Sequence, residues 1–108
     1  MKPFELYIAY ISWGNCGKYR PVLVFSLKDE TAFVFSITSQ FESKSEVIRA
    51  RYFKINNWAH AGLDKQSYVD TGSYFFVPVS ALKDKAPLGE LSVEDKQRLL
   101  EFITTKRP

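Results

Sequence analysis

The first half of the chain consists of apolar segments separated by short polar ones, a pattern typical of β-strands. The segments 4–11 (FELYIAYI), 21–27 (PVLVFSL) and 32–38 (AFVFSIT) are rich in aromatic and β-branched residues. Because 21–27 is apolar at both alternations, we expect a strand that is covered on both faces. The polar residues 28–30 (KDE) have the length of a hairpin turn, so this strand is predicted to pair with 32–38.

Three intervening segments have different patterns. Segment 12–18 (SWGNCGK) contains two glycines with Ser and Asn, and it is expected to be a loop between the first two strands. Segment 47–54 (VIRARYFK) alternates, which predicts a half-buried antiparallel strand with Arg49 and Arg51 on the same face. Segment 55–63 (INNWAHAGL) suits a short helix.

The last third of the chain predicts two more strands and a helix. The strands are 67–70 (SYVD) and 74–79 (YFFVPV), and Pro78 indicates an edge or a strand terminus. Ser92 is a suitable N-cap with Asp95 three residues later, and apolar residues then recur at helical spacing: Leu99, Leu100 and Ile103. We therefore predict a C-terminal amphipathic helix packed on the sheet.

About six strands and two helices predict a mainly β fold, a small curled β-barrel with a helix cap. The chain has 108 residues, so we expect a single domain spanning 1–108. Hydrophobic residues make up 45% and charged residues 25%, as in soluble globular proteins. An apolar run of roughly 18 residues is absent, and the N-terminus lacks signal-peptide features. We expect a cytoplasmic protein that does not bind membranes.

Several kinds of catalytic site are disfavoured by composition. The single cysteine, Cys16, and the single histidine, His60, cannot build a four-ligand zinc site between them. The chain also lacks a phosphate-binding glycine loop, a dinucleotide-binding glycine pattern and a nucleophile elbow. We therefore expect neither a metal nor an organic cofactor.

Arg20 and Thr38 are the first candidate pair. Arg20 precedes Pro21 at the mouth of the apolar strand, and Thr38 ends the strand predicted to pair with it. In a tight hairpin both residues lie at the end away from the turn, where a guanidinium and hydroxyls form an anion site together with Lys18, Ser39 and Gln40. The alternative is a rim arginine paired with a carboxylate, followed by a turn-forming Thr-Ser.

Basic and aromatic residues suggest a nucleic-acid surface. The net charge is +3, and between Lys44 and Lys65 there are five cations and two carboxylates. Among those cations, Arg49, Arg51 and Lys54 are compatible with nucleic-acid binding, although a solvated strand face explains them equally.

Trp13 and His60 each have more than one interpretation. Trp13, in the predicted loop, can stack on an unpaired base, close a dimer interface or cap the barrel. His60 is the default candidate for proton transfer, and a structural histidine is the alternative.

Four segments in order resemble the PemK/MazF-like toxins of bacterial toxin–antitoxin systems. Residues 17–26 (GKYRPVLVFS) resemble the family's G-x-x-RPVLV-x-S segment, and 34–39 (VFSITS) its "ITS" strand end. Residues 61–70 (AGLDKQSYVD) are similar to its GL-x-K-x-S-x-V stretch, and 88–92 (LGELS) to its LG-x-LS-x-E ending. The resemblance spans nearly the whole chain, from about residue 17 to 103.

This resemblance implies a small SH3-like barrel related to MazF and CcdB, with a C-terminal helix. It also implies a homodimeric, metal-independent endoribonuclease that cuts single-stranded RNA, and a cognate antitoxin with an acidic tail. By position, Arg20 would stabilise charge on the phosphate or act as an acid, and Thr38 would orient the phosphate or the attacking 2′-hydroxyl.

One departure from the family leaves alternatives open. Many members carry an arginine shortly after the position of Asp70, where this chain has residues 71–73 (TGS). A second phosphate-binding cation is therefore missing or is supplied by Arg49, Arg51 or Lys54. The alternatives to a nuclease are a non-catalytic module that binds nucleic acid or protein, and a gyrase poison.

Overall fold

Two long hairpins dominate the structure, a computed structural model that describes residues 1–82 and 86–105, with Trp13 represented by its backbone alone. Strands β1 (Glu5–Trp13) and β2 (Cys16–Lys28) form the first hairpin, and β2 and β3 (Thr31–Thr38) form the second. Four elements follow: helix α1 (Glu46–Arg49), and strands β4 (Tyr52–Lys54), β5 (Tyr68–Pro78) and β6 (Gly89–Glu90). A short 3₁₀ helix at Val79–Ala81 follows β5, and helix α2 spans Val93–Thr105.

The six strands form one antiparallel sheet in the order β4-β5-β3-β2-β1-β6. The sheet curls into a half-barrel, and α2 packs against one of its faces through Leu99. The predicted fold class, mainly β with a curled sheet and a C-terminal helix, is confirmed.

Strand β2 is buried on both faces, as its sequence predicted. Leu23 belongs to one hydrophobic core with Phe35 and Leu99. Its neighbours Val22 and Val24 belong to a second core on the opposite face of the sheet. All three β2 residues are fully buried, so this strand contributes side chains to both cores.

The predicted loop at 12–18 is wrong. Strands β1 and β2 continue through most of it, and Trp13 pairs with Cys16 across a two-residue turn. Gly14 has a φ of +55°, which this kind of turn needs at its first central position. The glycine-rich composition of segment 12–18 therefore indicates a two-residue turn and not a longer loop.

The predicted strand 47–54 is correct only at its end. Residues 46–49 form α1, whose N-cap Ser45 accepts a hydrogen bond from the Ile48 amide at 3.4 Å. Strand β4 begins only at Tyr52. The helix-capping residues Ser45 and Glu46 favour a helical turn more strongly than the short alternation of apolar and polar residues favours a strand. Arg49 and Arg51 therefore do not share a strand face.

The short helix predicted at 55–63 is also absent. The segment forms successive turns, with the Ala61 amide bonded to the Asn57 carbonyl and the Leu63 amide to the Trp58 carbonyl. Gly62 has a φ of +88°, and a Cβ there would overlap the carbonyl of Leu88. The turn at Gly62 therefore packs closely against the residue before β6, and the segment does not continue as a helix.

The two strands predicted at 67–70 and 74–79 are one strand, β5. Its pairing with β3 shifts between Phe35↔Tyr74 and Ser36↔Asp70, so residues 71–73 bulge out of the ladder. Pro78 lies at the strand terminus, as predicted.

Helix α2 begins with the expected N-cap and adds a buried carboxylate. The Ser92 hydroxyl accepts a hydrogen bond from the Asp95 amide at 3.2 Å. The fully buried Asp95 carboxylate accepts hydrogen bonds from the amides of Asn57 at 2.8 Å and Asn56 at 3.4 Å, and from Arg98 at 2.7 Å. Asp95 therefore joins the helix to the turns that follow β4.

None of the helices within 1–82 and 86–105 is long and apolar enough to cross a membrane. The same residues contain no group of three or more His, Cys, Asp or Glu side chains placed to hold a metal ion.

Asp95→Ala is expected to lower the free energy of unfolding by about 2–4 kcal/mol, because it leaves buried donors without an acceptor. Urea denaturation measures this change. The matched control is Glu94→Ala in the same helical turn, where the side chain is exposed and the expected loss is below about 1 kcal/mol. Equal losses in the two variants would contradict the structural role of Asp95.

Glu90→Gln is expected to make stability less dependent on pH in the acid range. Hydrogen bonds from Lys96, the larger effect, and from Lys2 hold the pKa of Glu90 below its usual value of 4.5. A lowered folded-state pKa stabilises the protein above pH 4.5 and ceases to do so as the pH falls through the folded-state value. The melting temperatures of the wild type and the variant should therefore differ at neutral pH and become equal in acid. A constant difference at all pH values would contradict this.

Candidate functional site

A cleft of about 690 Å³ opens beside the end of β3 at Thr38, where the β2–β3 pairing has stopped at Val22 and Ser36 while β2 continues alongside β1. Its walls come from the end of this hairpin, the loop after β3, the residues preceding β4, the loop before β5 and the β5 bulge. Five cations and two carboxylates line it: Lys18, Arg20, Lys44, Arg51, Lys65, Asp64 and Asp70. The cleft is therefore a positively charged concavity, suited to an anionic ligand.

Arg20 and Thr38 lie near the point where β2 and β3 cease to pair. The last pair of their ladder is Val22 with Ser36, two residues before each of them, and Arg20 lies inside β2 opposite Ala9 of β1, not ahead of the strand as predicted. Both residues line the cleft, beside Lys18, Ser39 and Gln40. The structure thus brings together five of the residues that sequence analysis singled out.

The Thr38 hydroxyl is oriented by the turn that follows β3. Its oxygen accepts a hydrogen bond from the Gln40 amide at 3.0 Å. This contact uses an acceptor position of the oxygen and leaves the hydroxyl proton to donate. Thr38 can therefore donate a hydrogen bond to an anion beside the Arg20 guanidinium.

Arg51 and Asp70 also line the cleft. Asp70 is buried, and its Oδ1 atom accepts a hydrogen bond from the Gly72 amide at 3.0 Å. The Arg51 Nε atom lies 3.6 Å from the same oxygen. This ion pair places a second guanidinium in the cleft, on an element remote in sequence from Arg20.

Tyr52 adds a protonated phenol to the lining. Burial raises the pKa of its hydroxyl, Asp70 raises it further, and Arg51 opposes the shift. Tyr52 therefore remains neutral through physiological pH and can donate a hydrogen bond into the cleft.

Three of the sequence candidates do not line the cleft. Arg49 donates hydrogen bonds to the carbonyls of Phe41 at 3.1 Å and Glu42 at 2.6 Å, and its guanidinium lies 5.0 Å from the Phe41 ring centre. Lys54 borders a separate shallow cavity against α2. His60 is exposed in the turns after β4, outside the cleft lining.

Trp13 lies at the tip of the first hairpin, where its backbone pairs with Cys16. Its side chain is outside the described part of the structure, so the stacking hypothesis remains a prediction.

The sequence analysis did not identify Lys44, Lys65 and Asp70 as cleft residues. The sequence did contain a hint for Asp70: a carboxylate directly follows the apolar residue Val69 within a predicted strand, and a glycine stands two residues later. Opposite it in the ladder is another buried polar residue, Ser36. Lys44 and Lys65 lie in irregular segments, and only the fold brings them to the cleft.

The fold has counterparts among solved structures. The Mycobacterium tuberculosis toxin MazF-mt6 superposes with a TM-score of 0.70 at 23% identity, covering 94% of this chain and 93% of that chain. A structure described as a Mtb toxin superposes with a TM-score of 0.62 at 22% identity, covering 82% of this chain and 92% of its own. No protein-family model matches the chain, and no curated protein matches it. At these identities the likeness establishes that the chain has a MazF-like fold.

Arg49→Gln is expected to loosen the loop 41–45 without unfolding the protein. It removes two hydrogen bonds from a charged donor to loop carbonyls, each contributing about 1.5–3 kcal/mol. Amide hydrogen exchange in this loop should accelerate by at least about tenfold. Lys54→Gln is the control, since Lys54 borders the separate cavity against α2. Unchanged exchange in Arg49→Gln would contradict the assignment.

Proposed function

We propose that this chain is the toxin of a toxin–antitoxin pair and acts as an endoribonuclease on single-stranded RNA without a metal ion. The observation that carries the proposal is the juxtaposition of Arg20 and Thr38 at one end of a hairpin, inside a basic cleft of a MazF-like fold. A guanidinium and a hydroxyl donor in one cleft suit a phosphate whose negative charge increases during reaction.

The proposed reaction is an internal transesterification. The ribose 2′-oxygen attacks the adjacent phosphorus, the bond from phosphorus to the 5′-oxygen breaks, and the products carry a 2′,3′-cyclic phosphate and a 5′-hydroxyl. The 2′-hydroxyl loses a proton and the leaving 5′-oxygen gains one. This chemistry requires the 2′-hydroxyl and therefore discriminates against DNA.

Each group in the cleft has a role in this scheme. Arg20 binds the non-bridging oxygens, stabilises the transition state and is the candidate proton donor to the 5′-oxygen. Thr38 donates its hydroxyl proton to the phosphate or orients the 2′-hydroxyl. The carboxylates Asp64 and Asp70 are the candidate proton acceptors of the cleft. His60 has no role here, because it does not line the cleft.

The remaining parts of the proposal concern partners and setting. Lys18, Ser39 and Gln40 would contact RNA beside the scissile phosphate, since they share the cleft with Arg20. An acidic antitoxin segment would occupy the same positive cleft and exclude RNA from it. We further propose that residues 1–108 form one toxin domain that acts as a cytoplasmic homodimer.

The deciding experiment is incubation of the purified protein with a long mixed-sequence RNA in EDTA, with fragment ends mapped. Wild type is expected to make discrete cuts that leave 5′-hydroxyl ends. Arg20→Ala should cut at least about 100-fold more slowly, the usual effect of removing one transition-state donor. Lys28→Gln is the control, since it removes one charge at the turn end of the same hairpin, opposite the cleft.

RNA that stays intact at high protein excess would overturn the nuclease. Intact RNA together with gyrase inhibition would identify a gyrase poison. Intact RNA bound by the protein would identify a non-catalytic binding module.

A further inference from the structure

Residues 71–73 form a notch in the cleft wall, and the Arg51 side chain occupies it. These residues bulge out of the β3–β5 ladder, between the pairs Phe35↔Tyr74 and Ser36↔Asp70. A Cβ built on Gly72 would lie 2.5 Å from both Cδ and Nε of Arg51 and 2.8 Å from its Cζ. Such distances are far inside van der Waals contact, so the Arg51 side chain can keep this position only when residue 72 is glycine.

The backbone of Arg51 is held by the same bulge. The Thr71 amide and hydroxyl both donate hydrogen bonds to the Arg51 carbonyl, at 3.0 and 2.7 Å. Three consecutive residues, 70–72, thus position one arginine through an ion pair, two hydrogen bonds and a steric gap. Long side chains lose much rotamer freedom when they bind, and this arrangement removes part of that cost in advance.

The Arg51 guanidinium is held in place, but its hydrogen-bond donors are not all used. Its Nε atom is buried and lies 3.6 Å from Asp70, beyond hydrogen-bond distance. Among residues 1–82 and 86–105, no acceptor lies within hydrogen-bond distance of this Nε atom. Its side chain remains 43% exposed, within the lining of the cleft. Arg49, only two residues earlier, differs because its donors are bonded to loop carbonyls.

We propose that Arg51 is a second phosphate-binding cation of the cleft and that Gly72 is the residue that positions it. The inference rests on the proposed function, because it assigns this guanidinium to a phosphate of the RNA backbone adjoining the one at Arg20. Asp70 lies beside the buried Nε atom, and a phosphate binds the part of the guanidinium that remains accessible from the cleft. Gly72 acts only through Arg51.

The test is a double-mutant cycle of Arg51→Ala and Gly72→Ala, measured by binding rather than by cleavage. The probe is a short fluorescein-labelled 2′-O-methyl RNA of mixed sequence, which cannot be cut through the 2′-oxygen. Fluorescence anisotropy gives its affinity at several salt concentrations. Lys28→Gln serves as the charge-matched control, and thermal melts verify that each variant is folded.

Arg51→Ala is expected to weaken binding about tenfold at low salt and to reduce the slope of log affinity against log salt by about 0.7, the value for one lost contact to a single strand. Gly72→Ala should weaken binding in the same direction when Arg51 is present. In the Arg51→Ala background it should have no further effect, because the atoms that it would displace are gone. Lys28→Gln should leave the affinity near that of wild type.

Other results overturn the inference. An effect of Gly72→Ala that is equal in both backgrounds shows a general structural role for the glycine. An unchanged affinity and salt slope in Arg51→Ala shows that Arg51 contacts no phosphate, and RNA cleavage by the wild type would then leave the proposed nuclease intact. A wild type that does not bind the probe overturns this inference, and the cleavage assay in EDTA then decides separately whether the protein is a nuclease. A protein that binds with the expected pattern but leaves RNA uncut supports this inference and overturns the nuclease.

The cycle remains informative if Gly72→Ala alone does not fold. Recovery of folding in the double variant, where the steric conflict with Arg51 is absent, would show the same coupling through stability. Failure of the double variant to fold would overturn the positioning role of Gly72.

Discussion

The register between β2 and β3 is the constraint on which the rest of the structure depends. Val22, Leu23 and Val24 are fully buried on alternating faces of the sheet, and a slip by one residue would exchange the two cores. The same register brings the Arg20 part of β2 and the Thr38 end of β3 to one cleft. The candidate site is therefore positioned by hydrophobic packing several residues away from it, and a rigid pair of strands carries both groups.

Asp95 and Asp70, the buried carboxylates among the described residues, show that the same residue type stabilises the fold in one place and lines the candidate site in another. Asp95 accepts hydrogen bonds from two backbone amides and from Arg98, so its charge is well compensated inside the protein. Asp70 accepts one hydrogen bond from the Gly72 amide, and its arginine partner stays beyond hydrogen-bond distance. The first arrangement stabilises the fold, whereas the second leaves a guanidinium able to bind a further anion.

Arg49 and Arg51 show how little spacing in sequence says about the role of a cation. The one-turn helix α1 ends between them, so their side chains leave the backbone in different directions. Arg49 binds the carbonyls of the loop after β3 and stabilises one wall of the cleft, whereas Arg51 crosses the β5 bulge and enters the cleft. The family-like sequence lacks an arginine at 71–73, and the structure places the Arg51 guanidinium over that same stretch.

The sequence by itself determined the β2–β3 hairpin, the doubly buried strand and the capped C-terminal helix, because each follows from local periodicity or from residues on adjacent strands. It also predicted that Arg20 and Thr38 lie close together, and both line one cleft. Only the tertiary structure decided which other charged residues join them. Lys44, Arg51, Lys65 and Asp70 come from separate loops and strands, and their convergence depends on the curl of the sheet and on the bulge at 71–73. Segment 55–63 was mispredicted for the same reason, because the approach of Gly62 to Leu88 replaces helical continuation. The error in 47–54 is instead local, because Ser45 caps a helical turn before the strand begins. Local patterns report the preference of each segment, but non-local packing selects among preferences that differ by only about 1 kcal/mol.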